Sequence, residues 1–295
     1  MRLLTFREGE SLRLGVKIDS GVVDVAAAAS ALGLSDVPTT MDTVLTGGSS
    51  AVEALQELVR RATIAPPGEP WLLDELGLRH GPCVPHPGKI VCVGLNYRKH
   101  AIETNAPIPE VPVLFSKYHN AIAAHGDVVP MPPVAHQYDY EVELGVVIGT
   151  RAVHVEEHDA LSHVFGYCCA NDVSARDLQM RTSQWLLGKT LDKFLPIGPY
   201  LVTADEVGNP QDLRLRCLVN GEVRQDSHTG DMIFPVAQLI SYISRYFALD
   251  PGDLIITGTP EGVAMGRPDK PWLKPGDEVV IEIDRLGQLR NVMGT

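Results

Sequence analysis

The chain has few of the features that mark secreted, membrane-spanning or redox-active proteins. Its 295 residues include only five cysteines, which form neither a CxxC pair nor a zinc-ligand spacing. No uninterrupted apolar run approaches the length of a membrane span. Residues 1–30 carry early charges and lack the apolar centre of a secretory signal. These absences predict a cytoplasmic protein with reduced thiols.

Positive charge is also scarce. The chain has 25 Lys and Arg against 37 Asp and Glu, which gives a formal net charge of −12. This balance argues against nucleic acid as a partner, because phosphate binding draws on clustered basic residues. Local basic residues can still bind a small anion on an acidic protein. The sequence shows no P-loop, GxGxxG motif, internal repeat or low-complexity tract, so we expect neither a nucleic-acid nor a membrane partner.

Short strands and frequent turns dominate what is present. Many short runs of alternating or apolar residues, few helical patterns and regular turn signals predict a β-rich α+β protein rather than a doubly wound sheet. Pro- and Gly-rich stretches at 65–68 and 81–88 indicate connecting segments. We therefore predict a small α/β N-terminal domain at 1–70, a linker at 71–88 and a large domain at 89–295.

Periodicity and capping residues predict individual elements. Ser50 followed by Glu53 resembles a capping box and predicts a helix over 50–63. Asn96 is a candidate N-cap for a short helix that carries His100. Other helical patterns cover 155–163 and 236–247, and strands are predicted at 2–6, 12–17, 22–25, 90–94, 111–115, 164–170, 213–219 and 278–283.

Residues 138–149 form the most informative stretch. Acids alternate with apolar residues as in a single strand, so Asp139, Glu141 and Glu143 are expected on one face. Three close carboxylates repel each other and raise each other's pKa. A hard divalent cation relieves that repulsion, since Mg²⁺ and Ca²⁺ prefer oxygen ligands. An exposed edge strand whose acids face water explains the same pattern, and from this stretch alone both interpretations remain open.

Two further pairs could contribute to a catalytic site. His100 and Glu103 lie side by side at i, i+3 on the predicted helix, where a carboxylate can orient an imidazole as a general base. For an isolated pair, a surface ion pair is the commoner explanation. Asp172 follows a predicted strand and Arg176 lies one helical turn later, which could place a carboxylate and a guanidinium in one cleft. Alternatively, Asp172 caps the next helix.

Together, these pieces resemble the fumarylacetoacetate hydrolase family over roughly residues 88–293. The resemblance rests on five separate motifs that occur in the family's order. They are Gly-Leu-Asn-Tyr at 94–97 with His100, Asp-Tyr-Glu-Val-Glu-Leu at 139–144, Asn-Asp-Val-Ser-Ala-Arg-Asp at 171–177, Gly-Lys-Thr at 188–190 with Pro-Ile-Gly-Pro at 196–199, and Thr-Gly-Thr-Pro at 257–260.

The resemblance implies a fold, a metal site and residue roles. It implies a β-sandwich or β-roll domain, a homodimer, and Mg²⁺, Mn²⁺ or Ca²⁺ held by carboxylates, with Asp139 in a supporting position outside the ligand set. His100 with Glu103 would be the base, and Lys189 would neutralise negative charge on the substrate or oxyanion. The implied metal ligands are Glu141, Glu143 and Asp172, and the implied substrate contacts are Arg176, Gln179, Thr259 and Lys117.

The implied chemistry uses a small anionic 2-oxo acid. Such an acid chelates a metal through its carboxylate and 2-oxo oxygen, and the metal stabilises the enolate. The expected reaction is hydrolysis of a C–C bond in a 2,4-dioxo acid, which releases pyruvate and a carboxylic acid. An oxaloacetate decarboxylase or keto–enol isomerase would use the same site, and the intact residues argue against a non-catalytic scaffold. Tyr118 and the 264–266 segment depart from the family pattern where specificity could be set.

Overall fold

The N-terminal part of the chain combines antiparallel strands with three helices. The computed structural model describes residues 1–66 and 68–294. The first elements are β1 (Arg2–Glu8), β2 (Ser11–Ile18), β3 (Gly21–Asp24), α1 (Val25–Ala31), α2 (Met41–Thr46), α3 (Gly48–Thr63), β4 (Leu72–Leu73) and β5 (His80–Gly81).

Strands predominate in the remainder, where the helices are short. The strands are β6 (Ile90–Gly94), β7 (Val113–Ser116), β8 (Ile122–Ala123), β9 (Val128–Pro130), β10 (Tyr138–Asp139), β11 (Val142–Ile148), β12 (Val164–Asn171), β13 (Ser174–Ala175), β14 (Leu195–Thr203), β15 (Arg214–Val219), β16 (Glu222–His228), β17 (Leu254–Ile256), β18 (Glu278–Ile283) and β19 (Gly287–Gly294). The helices are α4 (Arg98–Glu103), α5 (Arg176–Gln179), α6 (Leu186–Lys189), α7 (Ala204–Val207) and α8 (Val236–Ser244), with 3₁₀ turns at Glu75–Gly77, His119–Ala121, Glu157–His163 and Thr229–Asp231.

Two main sheets organise these strands. The larger runs in the order β4-β3-β2-β1-β14-β12-β11-β17-β6-β7, with β5 paired to β1 and β8 to β14. The second is β16-β15-β18-β19-β9, and β10 pairs with β13 alone. Buried side chains of β11, such as Val142 and Leu144, share a core with Leu215 and Cys217 of β15. The prediction of a β-rich α+β fold is confirmed.

The N-terminal strands belong to the larger sheet. Arg2 and Leu3 of β1 pair with Val202 and Leu201 of β14, and β5 pairs with the other end of β1. Leu3 also packs in one hydrophobic cluster with Leu195 and Leu201. The division into domains at 1–70 and 89–295 with a linker between them therefore stays a prediction, and strand pairing crosses it.

Two predicted helix caps are wrong. Helix α3 starts at Gly48 after Gly47, and the Ser50 hydroxyl donates to the Gly47 carbonyl at 2.9 Å instead of capping the helix. Helix α4 has Tyr97 as its N-cap. Asn96 is fully buried, and its amide donates to the Thr257 carbonyl at 2.8 Å and accepts from the Phe234 N–H at 2.8 Å. Both side chains thus form hydrogen bonds with backbone groups other than the helix N–H groups that a cap would satisfy.

Several predicted boundaries also change. Residues 138–149 do not form one strand, because β10 ends at Asp139 and pairs with β13, whereas β11 begins at Val142 and pairs with β12. The predicted 155–163 helix is the 3₁₀ turn Glu157–His163, and α8 ends at Ser244. Among the described residues, no helix is both long enough and apolar enough to cross a membrane.

Candidate active site

Antiparallel pairing of β11 with β12 brings three acidic side chains together. Val142 pairs with Asn171, so Glu141 and Asp172 flank the same strand ends, and the Asp172 N–H donates to the Glu141 carbonyl at 3.0 Å. Glu143 follows one residue into β11. Oxygens of Glu141, Glu143 and Asp172 lie within 4.8 Å of one another, and all three residues are buried. The exposed edge strand considered as an alternative is therefore wrong.

The three carboxylates fit a divalent cation. Burial, together with the charges of Asp172 and Glu141, raises the pKa of Glu143. The Gly258 N–H donates to Oε2 of Glu143 at 2.5 Å, and within the described residues its Oε1 has no protein hydrogen-bond donor. Clustered oxygen donors of this kind suit Mg²⁺, Mn²⁺ or Ca²⁺. The carboxylates predicted as metal ligands are thus brought together, while the identity of the metal stays a prediction.

Lys189 and Arg176 balance part of the negative charge. The ammonium of Lys189 lies 2.6 Å from Glu141 Oε2 and 2.9 Å from Asp172 Oδ2, and Arg176 Nη2 lies 2.6 Å from Glu141 Oε1. Burial alone would raise the pKa of Glu141, but the charges of Lys189 and Arg176 outweigh it and lower that pKa. Glu141 is therefore ionised and held in place, as a metal ligand must be.

The other guanidinium nitrogens of Arg176 are also engaged. Nε donates to Asp139 at 2.9 Å and Nη1 donates to Gln179 at 2.9 Å. Asp139 in turn accepts from the backbone N–H groups of Ala264 at 2.7 Å and Met265 at 3.0 Å. Asp139 thus lies outside the carboxylate triad and joins Arg176 to the loop that follows β17. Substrate contact by Arg176 and Gln179 stays a prediction.

The predicted dyad forms on α4. His100 is 6% exposed, and its Nδ1 lies 2.9 Å from Glu103 Oε1. The Gly262 N–H donates to both oxygens of Glu103, at 2.9 Å to Oε2 and 3.1 Å to Oε1, which also holds the carboxylate in place. Within the part of the chain that the structure describes, Nε2 of His100 has no protein hydrogen-bond partner. The imidazole is therefore oriented by its carboxylate while its second nitrogen remains available.

His100 of the dyad and two of the triad carboxylates, Glu141 and Glu143, line one cavity of about 140 Å³. Its polar lining matches most of the predicted site residues, namely His100, Glu141, Glu143, Arg176, Gln179, Lys189 and Thr259. Its remaining lining is largely apolar, with Val93, Leu95, Ala106, Phe115, Met180, Trp185 and Met265. Met265 of the 264–266 segment belongs to this wall, and the influence of the segment on specificity stays a prediction.

Sequence reasoning missed the aromatic part of the wall. Trp185 packs edge-on against Phe115 with ring centroids 5.3 Å apart. It lies directly over Gly94, where a Cβ would come within 2.4 Å of the indole ring. The glycine of the 94–97 motif therefore makes room for the ring. The sequence around Trp185 has no hydrophobic periodicity that would mark this residue as part of the site.

Lys117 does not line this cavity. Its side chain is completely buried, and its ammonium lies 2.6 Å from Asp172 Oδ1. The same group donates to the carbonyls of Val173 at 3.0 Å and Phe194 at 2.8 Å, and to that of Lys189. Substrate contact by Lys117 stays a prediction, and this placement supports a role in holding Asp172 instead.

Thr259 lines the cavity and is held there by Gln225, a residue that the sequence did not single out. Its hydroxyl accepts from Gln225 Nε2 at 2.8 Å. The Gln225 amide also donates to the Pro260 carbonyl at 2.9 Å and accepts from the Val142 N–H at 2.9 Å. Gln225 therefore links the Thr259 loop to the start of β11, next to Glu141 and Glu143. A glutamine on an ordinary hairpin strand gives no sequence signal for this position.

Comparison with known proteins gives consistent matches. The family described as "Fumarylacetoacetate (FAA) hydrolase C-terminal" matches residues 89–293. The mitochondrial oxaloacetate tautomerase FAHD2A of Bos taurus is 42% identical over 298 residues, which cover 99% of this chain and 91% of that protein.

Solved structures agree with these matches. Fumarylacetoacetate hydrolase from Exiguobacterium antarcticum has a TM-score of 0.84 and 33% identity, covering 100% of this chain and 99% of that one. Fumarylpyruvate hydrolase from Pseudomonas aeruginosa, solved with Mn²⁺ and pyruvate, has a TM-score of 0.65 and 36% identity, covering 70% of this chain and 90% of that one.

Proposed function

The chain belongs to the fumarylacetoacetate hydrolase family, and we propose that it is a divalent-metal-dependent enzyme that interconverts the keto and enol forms of oxaloacetate or a closely related 2-oxo acid. The observation that carries the proposal is that His100, held by Glu103, lines one small cavity together with Glu141 and Glu143 of the carboxylate triad. One positioned base beside an enolate-stabilising site is sufficient for tautomerisation.

The residues divide the task as follows. His100 Nε2 removes a proton from C3 of the keto acid, and the imidazolium so formed gives that proton to the 2-oxygen of the enolate, which yields the enol. The reverse reaction runs through the same two transfers, while Glu103 holds the imidazole tautomer. A divalent cation held by Glu141, Glu143 and Asp172 would supply Lewis-acid stabilisation of the 2-oxo oxygen. Lys189 is close enough to the same carboxylates to offset negative charge as the enolate develops.

A second candidate is hydrolysis of a C–C bond in an acylpyruvate. The apolar wall with Phe115, Met180 and Trp185 favours it, because an acyl group has a surface to pack against there. In that reaction His100 would activate a water to attack the distal carbonyl, giving pyruvate and a carboxylic acid. The fumarylpyruvate hydrolase among the similar structures supports this candidate. Decarboxylation of oxaloacetate remains a third outcome at the same site.

One assay separates these reactions. Purified protein with Mg²⁺ or Mn²⁺ is given oxaloacetate, acetylpyruvate or fumarylpyruvate, while enol absorbance and pyruvate release are followed together. We expect the enol and keto forms of oxaloacetate to equilibrate faster without pyruvate release. Pyruvate from oxaloacetate would instead indicate decarboxylation, and pyruvate from an acylpyruvate would indicate hydrolysis. No acceleration with any of them contradicts the proposal.

A variant connects the activity to the dyad. His100→Gln should lower the rate by about 10²–10⁴-fold, the usual contribution of a general base. His158→Gln is the control, since His158 is an exposed histidine outside the cavity. Unchanged turnover in His100→Gln would remove the dyad from the mechanism.

The homodimer and the cytoplasmic location remain predictions, the first to be measured by light scattering.

A further inference from the structure

A second, larger cavity of about 710 Å³ lies between the N-terminal strands and β14. It shares no lining residue with the candidate active site. Its walls come from β1, β5, the turn before β9, β14 and the start of β19. We call it the basic cleft, after the arginines Arg2, Arg7 and Arg79 in its lining, which also includes His80 and His125.

The acidic residues of the basic cleft are already engaged. Glu75 lies 2.9 Å from Lys17 and accepts a hydrogen bond from the Tyr200 hydroxyl. Asp127 accepts from the Ala124 N–H at 3.1 Å and also lies 3.6 Å from Lys193. These contacts use much of the carboxylate capacity that could neutralise the arginines.

Arg7 and Arg79 are adjacent and poorly compensated. The Arg7 N–H donates to the Arg79 carbonyl at 2.8 Å, so the two residues are cross-strand neighbours. Arg7 reaches Asp127 only at 4.0 Å. Among the described residues, the Arg79 side chain makes no ion pair or hydrogen bond. Both side chains line the cleft, where an anion that contacts both guanidinium groups would pair with them.

Two histidines add polar capacity to the same wall. The rings of His80 and His125 are 5.0 Å apart, edge to face. Burial lowers the pKa of both, so they are neutral near pH 7. Nδ1 of His80 is buried and has no hydrogen-bond partner within the described part of the chain. A buried ring nitrogen without a partner is costly unless something binds there.

We propose that the basic cleft binds a small polyanion, a compact molecule with at least two carboxylate or phosphate groups. Its volume lies within the usual range of small-molecule sites. The convergence of arginines contrasts with a chain whose formal net charge is −12. A ligand there would touch β1 and β14 together, and β14 pairs with β12, which leads to Asp172.

Binding can be measured directly with two test anions. Citrate and pyrophosphate are titrated by calorimetry into the full chain after EDTA treatment, so that no active-site metal recruits them. We expect at least one of them to bind and to raise the unfolding temperature. Binding of citrate alone identifies a polycarboxylate site, and binding of pyrophosphate alone identifies a phosphate site. Binding of neither overturns the proposal.

Arg79→Gln is the decisive variant, because within the described residues the Arg79 side chain makes no hydrogen bond or ion pair that the substitution would break. It should weaken binding by about tenfold, the loss of one charge-assisted contact, and Arg7→Gln should do the same. Arg245→Gln is the control, since Arg245 is exposed elsewhere. Equal weakening in the control, or none in either cleft variant, overturns the proposal. So does a change from dimer to monomer in the cleft variants without anion binding, because a second copy would then cover the surface.

Discussion

At the scale of single residues, Glu143 shows most directly why the site calls for a cation. It is buried beside two other acids, and its burial, together with their charges, raises its pKa. Its Oε2 is held by the Gly258 N–H. Without a cation, the three carboxylates repel each other despite Lys189 and Arg176. A bound divalent ion would relieve that repulsion and stabilise the folded chain.

Glu143→Gln tests this argument. Wild-type protein should unfold at a lower temperature with EDTA than with Mn²⁺ or Mg²⁺, because a metal 100-fold above its Kd adds about 2.7 kcal/mol to the free energy of unfolding. The variant should lose this shift, because an amide is a weaker ligand, yet its oxygen can still accept from Gly258. Glu157→Gln, at an exposed position, should keep the shift. A wild-type protein indifferent to metal would contradict the site.

Lys117 contacts the same site through Asp172, although it does not line the cavity. Its ammonium contacts Asp172 and the carbonyls of Val173, Phe194 and Lys189, all without exposure to solvent. Burial, together with the charge of Lys189, lowers the pKa of Lys117, and Asp172 opposes that shift. The Lys117 side chain therefore joins Asp172, a predicted metal ligand, to the backbone of Lys189.

Replacing Lys117 with Met should cost about 3–5 kcal/mol of unfolding free energy, because Asp172 loses a buried charge partner. The measurement is urea denaturation of the metal-free protein. Lys274→Met should stay within about 0.5 kcal/mol, since Lys274 is exposed. If both variants unfold at the same urea concentration as the wild type, Lys117 does not stabilise Asp172.

The sequence predicted the polar part of the site better than its walls. Glu141, Glu143, Asp172, His100 and Lys189 stand in motifs whose residue types already indicate chemistry, and the structure brings them together. The burial of Lys117 and the aromatic wall depend on which distant segments pack together. Neither a lone lysine nor a lone tryptophan carries that information in one sequence.

At the scale of elements, alternation predicted strands but not their partners. Residues 138–149 keep a period of two across Tyr140 and Glu141, although the chain changes from pairing with β13 to pairing with β12 there. Side-chain patterning reports which face is buried and is silent on which strand lies alongside. The break matters, since it lets Asp139 turn to Arg176 while Glu141 joins the triad.

The packing of α5 against α6 positions two of the site's cations. Gly188 lies at their contact, where a Cβ would come within 2.4 Å of the Gln179 nitrogen and 2.5 Å of the Ala175 carbonyl oxygen. These neighbours are backbone atoms and cannot rotate away. Only a glycine therefore allows Lys189, the next residue, to approach Glu141 and Asp172 closely.

Gly188→Ala should separate α5 from α6 and displace Lys189. We expect a loss of about 1–3 kcal/mol in stability from overpacking and a fall in kcat of about 100-fold from misplacement near 1 Å. Gly77→Ala is the matched control, because no atom of the described residues lies within 4 Å of its added Cβ. Calorimetry and the tautomerase assay give the two readouts. Wild-type kcat in Gly188→Ala would show that Lys189 tolerates the shift.

At the scale of the whole molecule, the N-terminal residues are part of the central sheet. β1 pairs with β14, and β5 pairs with β1. Cys83 and Val84, in the predicted linker, are 0% and 1% exposed and pack with Leu3 and Leu195 in one cluster. Composition marked the Pro-rich segment as a connection, which it is in sequence. Composition did not indicate that the segment packs against the sheet, since proline-rich segments can be buried as well as form exposed turns.

Removing residues 1–88 should therefore destabilise the remainder. The isolated 89–295 chain would expose the edge of β14 and the apolar side chains of Leu195, Ile197 and Leu201, which the N-terminal strands cover. We expect it to aggregate or to bind a hydrophobic dye, and to lack the cooperative unfolding transition of the full chain. Co-expression with the separate 1–88 segment should restore a soluble complex, because the lost strand pairing and core contacts can form between chains. A soluble 89–295 chain with the unfolding temperature of the full chain would instead show that the catalytic part folds independently of its N-terminal strands.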